Sequence, residues 1–232
     1  IHEKIDVKHF ELNKIEISKL NFSFGSNEIF KDANITLNKG EIIGIIGKTG
    51  VGKTTFFDLL CGFLKSEKTL IKINQKETFK NFKTINLKNY ISLVTQKPLM
   101  LNDTVIKNIS LQSEENVNSK KIEFVSEMCD LSFVENLSEK WNTVIGEKNT
   151  QLSSGQIQRI SLARAIYNDR KILLLDEPTN NLDYYTEKRV MNNLNKIKED
   201  KIIILISHNL KNLSNCDKVF EIKNNSFITY EK

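Results

Sequence analysis

The chain has 232 residues, 39% hydrophobic and 27% charged. That balance excludes global disorder and fits one α/β domain, or a core domain carrying a smaller subdomain. The net charge of +5 comes from lysines scattered along the chain. Such scatter reads as a solvated surface rather than a nucleic-acid or acidic-lipid footprint, which needs basic residues clustered on one face.

In chain order, the first pattern is alternation. Ile15-Glu16-Ile17-Ser18-Lys19-Leu20, Asn21-Phe22-Ser23-Phe24 and Asn34-Ile35-Thr36-Leu37 change polarity at each step, ahead of Lys39-Gly40. This predicts antiparallel strands at one edge of the core. Ile42-Ile43-Gly44-Ile45-Ile46 is an apolar run of the kind that forms a strand buried on both faces. Phe56, Leu59, Leu60 and Phe63 follow at i, i+3, i+4, i+7, one apolar stripe on a helix. Ile91-Ser92-Leu93-Val94-Thr95 predicts a second buried strand.

Residues from about 97 to 168 hold no buried-strand run and read as a helical subdomain inserted into the core. Within it, Ser153 and Gln156 have capping-box spacing ahead of a helix from Ile157 to Tyr167. Ile172-Leu173-Leu174-Leu175 and Ile202-Ile203-Ile204-Leu205-Ile206 predict the third and fourth buried strands, with a helical stripe of Val190, Met191, Leu194 and Ile197 between them. Strands separated by helices imply βαβ units and a doubly wound, mostly parallel sheet.

No apolar run approaches the roughly 20 residues that cross a bilayer. No signal peptide opens the chain, and its first residue, Ile1, fits a piece of a longer protein. Cys61, Cys129 and Cys216 are far apart and form no Cys-x-x-Cys pair. Neither a disulfide framework nor a zinc site is expected, and each reads as a small core residue in a reducing cytosol.

Each buried run ends in polar residues of a useful kind, and ligands of open α/β sheets bind beyond the carboxyl ends of the strands. The first run leads into Gly47-Lys48-Thr49-Gly50-Val51-Gly52-Lys53-Thr54. Glycines at that spacing let backbone N–H groups curl around phosphates, at the positive end of the following helix. Lys53 is expected to reach the β- and γ-phosphates, Thr54 to ligate Mg²⁺, and Thr55 to add a phosphate contact. The second run leads into Gln96, which could orient water or Mg²⁺ or simply be a solvated loop residue. The third leads into Asp176 and Glu177, a magnesium-organising carboxylate and a general base for water, or otherwise a surface acidic pair. The fourth leads into His208, a partner for the γ-phosphate or a structural histidine. Ser153 to Gln156 read either as a well-capped helix start or as a second anion site at a helix N-terminus.

With these elements in this order, the chain resembles the nucleotide-binding domain of ATP-binding-cassette (ABC) transporters, from about Ile15 to Phe227. The matching segments are Gly47 to Thr54 (Walker A), Gln96 (Q-loop), Leu152 to Gln156 (signature), Ile172 to Glu177 (Walker B), Asn181-Leu182-Asp183 (D-loop) and His208 (H-loop). The resemblance implies a RecA-like P-loop NTPase core with an N-terminal antiparallel β subdomain and an inserted α-helical subdomain. It implies a single ABC ATPase domain over 1–232, with 1–96 and 169–232 as the core. It also implies Mg-ATP as ligand, a second such domain as head-to-tail partner, and Ser153 and Gly155 reaching the partner's γ-phosphate. Phe24 stands where the family places an aromatic on the adenine; its alternative is a core Phe on a strand. Gln96 to Leu101, Thr104 to Ile109 and Thr143 to Glu147 resemble exporter-type members, whereas Asn209 stands where exporters often carry Arg. Ser154 replaces the usual glycine of the signature, a substitution that costs about 1 kcal/mol if the backbone there needs a positive φ.

The leading expectation is therefore an ATPase motor of a membrane exporter, held at the cytoplasmic face of the inner membrane by a transmembrane domain outside this chain, with no nucleic-acid partner. The alternative is a soluble ABC-type ATPase acting on ribosomes or DNA. A second cassette joined by a charged linker, or a long coiled coil, would mark that class, and this sequence has neither. A non-catalytic regulator would lack Glu177 or His208, and a simple P-loop kinase would leave Leu152 to Gln156 unexplained.

Overall fold

A computed structural model describes residues 11–66, 68–75, 77–79, 87–146, 151–208 and 212–231. Glu147 and Asn209 lie outside the described residues. The four apolar runs form β3 (Ile42–Ile46), β6 (Ile91–Val94), β9 (Ile172–Asp176) and β10 (Ile202–Ile206). All are parallel and adjacent, in the order β3-β10-β9-β6. Two strands that the sequence pattern did not announce, β11 (Lys218–Lys223) and β12 (Ser226–Thr229), extend the sheet beyond β3.

The alternating N-terminal stretch forms β1 (Lys14–Phe24) and β2 (Asn27–Asn38), antiparallel as expected. They belong to a second sheet completed by β4 (Lys68–Ile73) and β5 (Glu77–Phe79), which were also unforeseen. β1 carries register shifts between Ile17 and Ser23, with Lys19 at a φ of 53°. A bulged strand bends and twists more strongly than a regular one.

Helix α1 (Lys53–Leu60) follows β3. It buries Phe56, Phe57, Leu59 and Leu60, whereas Phe63 lies beyond its end and is 71% exposed. The expected stripe is thus shorter: Gly62, at a φ of 74°, turns the chain before Phe63 can face the core. Phe56 packs edge-on against Phe30 of β2 and Phe227 of β12, which fixes α1 between the two sheets.

Between β6 and β9 the chain forms α2 (Val105–Ser110), α3 (Ser119–Cys129) and α4 (Ser154–Tyr167). This segment is mainly helical, but it also contains a two-stranded antiparallel pair, β7 (Asp103–Thr104) with β8 (Val144–Ile145). Thr104 caps α2 by accepting from Lys107 N–H at 3.3 Å, and Asn118 caps α3 through Lys121 N–H at 3.1 Å. Helix α5 (Tyr184–Ile197) follows β9 and buries Val190, Met191 and Leu194, with Ile197 half-buried.

The main sheet separates two cores, and strand alternation deals its residues between them. Ile43, Ile45, Leu174, Ile204 and Ile206 face the side shared with α1 and the antiparallel sheet. Ile42, Leu173, Leu175, Ile203 and Leu205 face the side shared with α2, α3, α4 and α5. All three cysteines are buried, and none of them forms a disulfide. Burial raises the Cys61 thiol to about 12, with the Asp58 carboxylate adding to the effect.

Candidate active site

The carboxyl ends of β3, β6, β9 and β10 lie side by side, and the residues beyond them meet. The loop after β3 turns through Gly47, Gly50 and Gly52 at φ values of 147°, 79° and 113°. Gly52 is buried against Ile29 and Phe30, so it combines a left-handed backbone with no room for a Cβ. It begins α1 without a side-chain cap, whereas α2, α3, α4 and α5 all have one. The first-turn N–H groups of α1 are therefore left to an external acceptor, and an anion is the natural one. Thr49, Gly50 and Thr54 are exposed and Thr55 is half-buried on the same turn.

Lys53 is buried, with Nζ donating to the main-chain oxygens of Gly47 at 2.7 Å and Lys48 at 3.0 Å. Burial pushes its pKa down, and the carboxylates of Glu177 and Asp176 pull it part of the way back. Thr54 Oγ1 donates to Asp176 Oδ2 at 3.1 Å. Burial raises the Asp176 carboxyl above its ordinary range; the Thr54 hydrogen bond opposes this, and Glu177 adds to it. Asp176 and Glu177 are each less than a tenth exposed, which excludes the surface-pair alternative.

Glu177 is held from several sides. Its N–H donates to Ile206 O of β10 at 3.0 Å, and its φ of 50° is unusual for a residue with a side chain. Carboxylate Oε1 lies 2.8 Å from His208 Nε2, and Oε2 accepts from Gln96 Nε2 at 3.5 Å. One carboxylate thus gathers side chains from the ends of three strands, β9, β10 and β6. Strain of this kind, held in place by its neighbours, clusters at functional sites.

The other expected residues fall nearby or elsewhere. Ser153 Oγ accepts from Gln156 N–H at 3.2 Å and Gln156 Oε1 accepts from Ser153 N–H at 2.8 Å, so the capping box at the start of α4 is real. Ser154 is the first residue of α4 and is absent from the positive-φ positions, so the strain anticipated for it does not arise. Gly155 is required for a different reason: a Cβ there would stand 2.6 Å from Asn181 O, in the loop after Glu177. Asp183 caps α5 by accepting from Tyr185 N–H and Thr186 N–H at 3.1 and 3.0 Å. Phe24 is 52% exposed and meets Phe22 edge-on at 4.9 Å between ring centroids, so it is not a core residue.

Two side chains of α4 were not foreseen. Gln158 is fully buried and directs Nε2 toward Glu177 O at 3.5 Å. Arg164 donates to Leu99 O, Asn108 O and Asn108 Oδ1 at 3.0, 2.6 and 3.0 Å, fastening the segment after Gln96 to α4. Neither stands in a pattern that distinguishes it in sequence from a solvated helix residue.

The family model described as "ABC transporter" matches residues 30–180. The chain is 34% identical over 224 residues to a Haemophilus influenzae protein described as "Probable ABC transporter ATP-binding/permease protein", covering 97% of this chain and 40% of the relative. It is also 34% identical over 206 residues to an ATP-dependent lipid A-core flippase of Syntrophus aciditrophicus, covering 89% of this chain and 34% of the relative. The chain therefore spans about two fifths or less of these relatives. Among solved structures, a bacterial Atm1-family ABC exporter with ATP bound superposes with a TM-score of 0.84 at 22% identity, over 94% of this chain and 38% of that one. This chain belongs to the ABC transporter family. It is an ATPase domain of that family, with the P-loop fold expected from the order of its motifs.

Proposed function

We propose that this chain is the ATP-hydrolysing motor of an exporter, acting through a transmembrane domain at the cytoplasmic face of the membrane. The observation that carries the reading is the Glu177 carboxylate, buried between His208 and Gln96 and adjacent to the Thr54–Asp176 pair. Glu177 is the general base that takes a proton from the attacking water. His208 and Gln96 hold its two oxygens, and His208 also faces the γ-phosphate. Lys53 exchanges its loop carbonyls for the β- and γ-phosphates. Gly47, Thr49, Gly50, Gly52 and Thr55 line the phosphates, and Phe24 supports the adenine.

The hydroxyl of Thr54, the carboxylate of Asp176 and the side-chain oxygen of Gln96 are hard oxygen donors suited to Mg²⁺. Three such donors leave the other positions of an octahedral ion to water and substrate phosphates. When bound, Mg²⁺ supplies charge neutralisation across the phosphates.

The exporter reading rests on the flippase and permease relatives and on the exporter-like stretches around Gln96 and Thr143. A head-to-tail partner domain would bring its own Ser153, Gly155, Gln156 and Asp183 to the nucleotide. The chain acts as one cassette, with residues of about 97–168 forming the helical subdomain.

The test is Glu177→Gln. ATP binding stays at the wild-type level and steady-state hydrolysis falls at least about 100-fold, within the range of a lost general base. Hydrolysis at the wild-type rate removes Glu177 from the role. Activity per molecule that rises as the chain is concentrated through its monomer–dimer range supports a shared site, and a flat response sinks it.

A further inference from the structure

Gln158 is 1% exposed, yet it is polar, and its Oε1 has no hydrogen-bond partner among the described residues. A buried amide that is not fully bonded is costly, and an apolar side chain of the same shape would pack without that cost. Folding alone therefore gives no reason for a glutamine here. What the amide reaches is the main-chain oxygen of Glu177, 3.5 Å from Nε2.

Glu177 occupies a left-handed conformation at a φ of 50°. Its peptide is anchored on one side by the bond from its N–H to Ile206 O, and its carbonyl is met by Asn180 N–H at 3.4 Å and by Gln158. Gly155 and Gln158 are three residues apart on α4 and so share a helix face. Both touch the loop of residues 177–181, Gly155 against Asn181 O and Gln158 against Glu177 O. The start of α4 and the aim of the Glu177 side chain are thus joined at two points.

We propose that Gln158 is a positioning residue for hydrolysis. Its amide braces the Glu177 peptide from the α4 side, so the direction of the carboxylate depends on where the start of α4 sits. The inference rests on Glu177 being the general base. A base displaced by about 1 Å loses up to roughly 100-fold in rate while substrate binding is untouched.

The experiment compares Gln158→Met, which keeps shape and removes the amide, with the unaltered full-length protein. The expected result is a kcat lower by about 10- to 100-fold with the KM for ATP unchanged and the melting temperature unchanged or higher. Gln158→Asn, which keeps an amide but withdraws it by one methylene, is expected to lower kcat likewise, with a melting temperature reduced by the cavity it leaves, and serves if the Met variant does not fold. In single-turnover measurements on Glu177→Gln, adding Gln158→Met causes no further loss, because the residue acts only through Glu177. Wild-type kcat in a folded Gln158 variant overturns the proposal. So does an equal further loss on the Glu177→Gln background, which marks a merely structural role. If Glu177→Gln itself hydrolyses ATP normally, the general-base reading fails. If it is inactive while the Gln158 variants turn over at the normal rate, only the present inference fails.

Discussion

Gly155 of α4 and Asn181 of the loop after β9 approach so closely that a Cβ on Gly155 would lie 2.6 Å from the Asn181 carbonyl oxygen and 3.4 Å from Leu182 Cδ2. The obstructing atom is backbone, so it yields only if the loop moves. Gly155→Ala gains helix propensity of up to about 1 kcal/mol but overpacks a tight contact, which costs about 1–3 kcal/mol. With the full propensity gain, the expected net runs from near zero to a loss of about 2 kcal/mol, or up to about 8 °C in melting temperature for a chain of this size, with slower ATP hydrolysis as the loop carrying Glu177 shifts. A calorimetric melt showing higher stability contradicts the contact.

Asp176 shows how the site trades stability for ligand binding. Burial raises its carboxyl pKa, the Thr54 hydrogen bond and Lys53 lower it, and Glu177 and Asp58 push it further up. A raised folded-state pKa leaves stability intact while the group is protonated, at acid pH, and removes stability as pH rises through the folded value. At neutral pH the ionised carboxylate is therefore a cost. Asp176→Asn is expected to melt a few degrees higher than wild type at pH 7 without nucleotide or Mg²⁺, with the gain shrinking as pH falls toward the ordinary carboxylate range. The same variant loses the extra stabilisation that Mg²⁺ adds to ATP. Melts across pH with and without the ion read both effects, and a lower neutral-pH melting temperature without ligand would sink the argument.

The exposed ring of Phe24 gives a separation of binding from stability. Phe24→Ala loses the edge-on contact with Phe22, but the residue is 52% exposed, so stability falls by only about 0.5–1.5 kcal/mol. Loss of a stacking partner worth about 0.5–1.5 kcal/mol weakens ATP binding by about 2- to 10-fold. Phe24→Trp keeps the affinity. Titration with a fluorescent ATP analogue decides it: unchanged affinity in the alanine variant removes Phe24 from the site.

Arg164 separates the other way. Its guanidinium satisfies Leu99 O, Asn108 O and Asn108 Oδ1. Arg164→Met takes the guanidinium from Leu99 O and Asn108 O, while Asn108 Oδ1 keeps the Leu101 N–H at 2.8 Å, and is expected to cost about 2–3 kcal/mol. Equilibrium urea unfolding measures the loss. A variant as stable as wild type shows that water replaces the guanidinium without penalty.

The parts legible in sequence are those whose physics is local. Ile202 to Ile206 could be read as a strand because both faces of a central parallel strand are buried, which leaves an unbroken apolar run. The phosphate loop and the Ser153–Gln156 box declare themselves by spacing, because each bonds within a few residues. Lys218 to Lys223 escaped because only Val219 and Ile222 are fully buried, three apart rather than two. Gln158 and Arg164 escaped because a polar residue on a helix looks solvated until a neighbour far away in sequence covers it. Phe63 misled in the opposite sense, since its spacing continued a stripe that the turn at Gly62 had already ended.

The strands of the main sheet hand alternate side chains to two cores that meet only through the backbone between them. A change of volume at Ile203 or Leu205 must be absorbed by the helices, whereas one at Ile204 or Ile206 must be absorbed by α1 and the antiparallel sheet. Each face can therefore be rewritten without consulting the other. The effects of substitutions on opposite faces are expected largely to add, with coupling concentrated at the edge where the strands end.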